Sequence, residues 1–121
     1  MGKTTTALII KLVMTFVASW IAVSLIAGNN WTWALIVAVL GTVVNYLLGD
    51  LYVLPNYGNI VASIADGVLA MVLLFLVDMA TTGLRVNGTA YLVLGVLIAA
   101  GEYFFHNYLI GSGIVDKKSR T

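Results

Sequence analysis

Four apolar runs, each about 20 residues long, decide what this chain can become. Each is long enough to cross the hydrocarbon core of a bilayer as an α-helix. The runs predict helices over about 5–27, 31–53, 59–81 and 89–110. The breaks carry turn chemistry: Gly28-Asn29-Asn30, then Pro55-Asn56-Tyr57-Gly58, then the seven residues from Thr82 to Gly88. Connections this short force sequential helices to run antiparallel. The expected fold is therefore all-α: a polytopic membrane protein with an antiparallel four-helix bundle over residues 1–110 and a polar tail over 111–121.

Composition agrees where it matters. Only 9% of the residues are charged, against about 25% in a soluble domain, too few to clothe a water-facing surface. A net charge of +1 gives no basic field for nucleic acid, so the expected partners are the lipid bilayer and either a second copy of the chain or another membrane protein. There is no cysteine, which removes disulfides, thiolate nucleophiles and Cys-ligated zinc. No nucleophile–base pair stands out, so neither an enzyme nor a cofactor is expected. Lys3 before an apolar run resembles a signal peptide, but a good small-x-small cleavage site is missing and further spans follow, so a retained first helix is expected. Gly2-Lys3-Thr4 lacks the upstream glycine and strand of a phosphate-binding loop.

Orientation follows the basic residues. Four crossings put Lys3, Lys11, Lys117, Lys118 and Arg120 on one side and only Arg85 on the other. Both termini should then be cytoplasmic.

Small residues mark the helix contacts. Gly41, Asn45 and Gly49 recur at four-residue spacing on the second helix. Gly58, Ala62, Asp66 and Ala70 do so on the third, with Ser63 and Gly67 beside them. The two stripes are expected to face each other across a turn at Pro55, with Asn45 hydrogen-bonding across the seam.

Ionisable residues inside apolar helices are functional candidates by default. At about 1.5 Å per residue, Lys11 lies about 9 Å and Asp66 about 10 Å from the cytoplasmic ends of their helices, Glu102 about 12 Å and His106 about 6 Å. Asp50 lies nearer the surface. Five ionisable groups from four helices thus fall in one layer, with Glu102 and His106 sharing a helix face. The favoured reading is a structural or interaction protein whose polar layer pairs with itself. The alternative is a small oligomeric proton or cation channel or transporter using Asp66, Glu102 and His106, with Lys11 as counter-ion. A weaker alternative is an intramembrane metal site; one histidine and no cysteine make a poor ligand set, so no metal is expected. Asp78 lies toward the outer end, where pairing with Arg85 is its simplest explanation.

The residues Gly49-Asp50-Leu51, Leu54-Pro55, Gly58-Asn59-Ile60-Val61-Ala62 and Ile64-Ala65-Asp66 carry a family resemblance. Together with the opening Leu8-Ile9-Ile10-Lys11-Leu12-Val13-Met14-Thr15, they make the chain resemble the YndM-type family of small four-helix membrane proteins of Bacillus and its relatives. That resemblance implies a bacterial inner-membrane protein of uncharacterised function and brings no activity, substrate or cofactor with it.

Overall fold

A computed structural model describes residues 2–111; of Lys3 only the backbone is described. The tail residues 112–121, including Lys117, Lys118 and Arg120, lie outside the described residues. Four helices are long and apolar enough to span a membrane: α1 (Thr4–Ile26), α2 (Trp31–Tyr57), α3 (Asn59–Ala80) and α4 (Gly88–Gly111). The described residues contain no strand. α3 packs extensively on α4 and α1 on α2, while α2 also meets α3 and α1 also meets α4.

The pattern of burial is inverted relative to a water-soluble protein. Phe104 is 72% exposed and Lys11 0%. Val13, Leu47, Val68 and Leu92 are also exposed, while Asp50, Asp66, Glu102 and His106 are buried. An apolar exterior around a polar interior suits lipid, which offers exposed polar groups no hydrogen bonds.

The helix ends are set locally. Asn30 caps α2, its side chain accepting from the Thr32 amide at 3.0 Å. Asn87 caps α4 in the same way, accepting from Ala90 N at 2.8 Å. Asn29 clasps the loops at this end: its Oδ1 accepts from Arg85 N at 2.8 Å, and its Nδ2 donates to Arg85 O and to Val23 O. The expected Asp78–Arg85 ion pair is not formed; Arg85 is exposed and engages the loop through its backbone.

Two features depart from the sequence reading. The chain reverses at Gly58, with φ +91°, and not at Pro55. Pro55 sits at the start of a closing α-turn, Leu54–Tyr57, where its missing N–H is tolerated. Only glycine takes the Gly58 conformation without strain, so Gly58 is the joint between α2 and α3. The second departure is π-helix. α1 is regular over Lys3–Ser19 and π-helical over Trp20–Ile26. α2 is regular over Trp31–Val44 and π-helical over Asn45–Val53. In a π-helix residue i+5, not i+4, closes the backbone bond. Asn45 and Asp50 are therefore drawn toward one face, and both are buried.

The interior has three layers. At the end where α1 begins and α4 finishes, Ala7, Leu54, Ala62, Phe105 and Leu109 form a thin apolar layer. Next comes the ionic layer. The remaining depth, toward the Asn29–Arg85 clasp, is a larger apolar core that includes Ala22, Val23, Val37, Leu74, Leu94 and Ile98.

Candidate functional site

The ionic layer draws one or two residues from every helix. α1 brings Lys11, the π-helical part of α2 brings Asp50, α3 brings Asp66, and α4 brings Glu102 and His106. Lys11 Nζ donates to Glu102 Oε2 and lies 3.2 Å from Asp50 Oδ2. His106 Nε2 lies 2.8 Å from Asp50 Oδ1, 3.0 Å from Asp66 Oδ2 and 3.9 Å from Glu102 Oε1. All five side chains are 0–1% exposed. The Phe105 ring covers the ammonium, with Lys11 Nζ 5.0 Å from its centroid. The five residues singled out by depth along the helices thus meet in one place, and Asp50 sits as deep in the layer as the rest.

A supporting shell orients the histidine. His106 Nδ1 lies 2.8 Å from Asn59 Oδ1, and the Ser63 hydroxyl donates to that same oxygen at 3.1 Å. Asn59 Nδ2 donates to Tyr103 O at 3.0 Å and to Asn107 Oδ1 at 3.3 Å. With its amide nitrogen so engaged, Asn59 presents an acceptor, and Nδ1–H of His106 donates to it. Nε2 is left facing two carboxylates. The sequence reading named neither Asn59 nor Ser63 as a site residue. Their signal was the i, i+4, i+7 spacing that puts Asn59, Ser63 and Asp66 on one face of α3.

Small residues permit this convergence, though not all where expected. Gly49 does face Asp66: a Cβ there would sit 2.1 Å from Asp66 Oδ1. Gly41 instead faces α1, with Thr15 Cγ2 at 3.5 Å from the position of its Cβ. Gly67 meets α4, where a Cβ would come 2.6 Å from Gly95 O. Ala62 belongs to the thin terminal layer and Ala70 to the large core. The cross-seam hydrogen bond expected of Asn45 is absent: the residue is fully buried, and neither polar atom of its amide has a partner. Asn45 stands at the last turn of the regular part of α2, where the π-helical part begins.

Two kinds of occupant suit this chemistry. One ligand atom from each of Asp50, Asp66, Glu102 and His106 falls within a 4.8 Å span, which a cation could bridge. Lys11 already places an ammonium against two of those carboxylates. A proton needs no such space and can sit on any of the acids or on Nε2.

The comparisons agree on kinship. Residues 2–120 match the family model described as Protein of unknown function (DUF2512). The chain is 30% identical over 117 residues to Uncharacterized membrane protein YndM of Bacillus subtilis (strain 168), covering 95% of this chain and 64% of that relative. It thus spans just under two thirds of the relative's length. No solved structure matches the chain. With four apolar helices, a lipid-suited exterior and a family match over nearly every residue, this is a membrane protein that belongs to the DUF2512 family.

Proposed function

We propose that the protein handles protons within the membrane and that its ionic layer is the binding site. One observation carries this: three carboxylates face two bases in a fully buried layer. Even with Lys11 and His106 both charged, one negative charge is left over. An uncompensated charge is not held in a low-dielectric interior; the group takes up a proton or a cation instead. The ammonium of Lys11 and the crowding around Nε2 favour a proton, shared among Asp50, Asp66 and His106. The thin layer with Phe105 and Leu109 lies on one side of the site and the large apolar core on the other.

The frame of this proposal is an antiparallel bundle with both termini cytoplasmic in a bacterial plasma membrane. Its support is the bias of Lys3, Lys11, Lys117, Lys118 and Arg120 to one side against Arg85 alone. The ionic layer then lies in the cytoplasmic half. Four helices leave little room for a pore, so transport would use an oligomer. No enzymatic role is proposed.

A second reading has its own observation: the layer bonds all four helices together directly. It would then be a structural lock that fixes helix register, in a protein that acts through a membrane partner. Proton flux into proteoliposomes, compared between the parent chain and Asp66→Asn at matched incorporation, separates the two. Flux that the substitution abolishes while the helices stay folded supports proton handling. Well-inserted protein with no flux in either form leaves the lock.

A further inference from the structure

Outside the ionic layer, the described residues contain six buried side-chain polar atoms without a hydrogen-bond partner: Thr15 Oγ1, Ser19 Oγ, Ser24 Oγ, Thr42 Oγ1, and Nδ2 and Oδ1 of Asn45. Every one is on α1 or α2. None is on α3 or α4, although those helices carry as much of the core. A hydroxyl in an apolar helix usually satisfies itself on the carbonyl one turn back. Thr6 does so, donating to Gly2 O at 3.2 Å, and Thr81 does so to Val77 O at 3.1 Å. Thr15, Ser19 and Thr42 do not, despite being 0–6% exposed.

Their levels match across the two helices. Measured from the end near the Asn29–Arg85 clasp at about 1.5 Å per residue, Lys11 lies about 22 Å and Asn45 about 21 Å deep, Thr15 and Thr42 about 16 Å, Ser19 about 10 Å and Ser24 about 3 Å. On α1 the spacing is four residues from Lys11 to Thr15 to Ser19, then five to Ser24. The step from four to five falls where the helix changes from α to π at Trp20. The change of register therefore keeps Ser24 in line with the stripe. At Gly41 the seam has room for a methyl group, whose carbon would meet the Thr15 methyl at 3.5 Å.

We infer that the α1–α2 seam holds a file of bound water molecules running from the ionic layer to the Asn29–Arg85 end of the protein. Polar atoms left bare in this setting are costly, and a water with two to four polar neighbours removes that cost. A single cation does not fit, because donors spread over about 18 Å of depth cannot share one coordination sphere. At hydrogen-bond spacing, the gaps between these donors take on the order of five waters. Asn45 offers both a donor and an acceptor at the mouth of the file, close to the level of Lys11 and one π turn before Asp50. The hydration rests on the seam alone. Its use as a proton route past the large apolar core rests on the function proposed above.

The test is water-edited solid-state NMR of the protein in lipid bilayers, which reads magnetisation passed from water to nearby side chains. Thr15, Ser19, Thr42 and Asn45 should gain signal at least about threefold faster than Ala34, Leu74 and Leu94, which line the neighbouring apolar core. Build-up at the rate of those apolar residues overturns the inference. Thr15→Val with Thr42→Val should slow transfer to Ser19 and Asn45. Thr81→Val, whose hydroxyl is already bonded, should leave it unchanged. Should the double variant not fold, Thr42→Ser, which keeps the hydroxyl, should retain the parent rates, and loss of transfer there counts against the file. Measuring Asp66→Asn beside the parent keeps the two claims apart. Water at the seam without proton flux removes only the proton role, and flux with a dry seam removes only the file.

Discussion

The two halves of the interior are held by different forces. Around Lys11 and His106, five ionisable side chains from four helices are fixed by directional bonds of about 3 Å, and removing any one strands the others. Around Leu74, Leu94 and Val23 the helices are held by shape alone. In lipid the apolar half gains little from hiding apolar surface, since the surroundings are as apolar as the core; packing and close approach do that work. The ionic half should therefore respond first to charge, and the apolar half to volume.

The sharpest way to break this contrast is Lys11→Ala. It leaves three buried carboxylates with His106 as the only base, and should lower stability by about 3–5 kcal/mol, as for other broken buried pairs. Reversible unfolding in mixed micelles would measure it. Lys11→Met combined with Glu102→Gln should lose clearly less than the two single changes added together, because the partners go at once. Additive losses would mean that the pair is not coupled.

Next in size is Gly67→Ala. Its Cβ would meet Gly95 O at 2.6 Å, a backbone atom that cannot swing aside, and the Ala99 methyl at 3.1 Å. A loss of about 2–3 kcal/mol is expected from separating α3 and α4, read in the same unfolding assay. Leu94→Ala, in the apolar half, should lose about 2 kcal/mol by opening a cavity, while Leu94→Met should lose less than about 1.5. If Leu94→Met proved as damaging as Lys11→Ala, the division into charge-held and shape-held halves would fail. The smallest effect belongs to Val43→Ala on the lipid-facing surface, within about 0.5 kcal/mol of the parent.

The legible and illegible parts of the molecule divide along physical lines. Helix number and span could be read because about 20 apolar residues in a row have few other fates. The ionic layer was legible because depth along a helix is a count, and Lys11, Asp50, Asp66, Glu102 and His106 converge on it. What depends on rotation about a helix axis was not. Asn45 was expected to reach α3, Gly41 to pack there, and Asp78 to pair with Arg85. Each of these is an azimuthal statement, and azimuth depends on which helices pack together, which a count along the chain does not give. Pro55 misled for a related reason: it is read as a helix stop, yet at the first turn of a new α segment it is at home. The left-handed glycine three residues later was the better marker of the reversal.

The joint at Gly58 also limits how the protein can move. A single residue links α2 to α3, so no length of chain can take up slack between them. Sliding of one helix along its axis must carry the other, while tilting can pivot at the glycine, with Asp50 and Asp66 eight residues to either side of it. Mechanically the two helices are two arms on one pivot, each bearing an aspartate at the same reach. The joint between α3 and α4, residues 81–87, is seven times longer. The α3–α4 pairing is therefore held by the packing that brings Gly67 against Gly95, and not by the chain that connects the two helices.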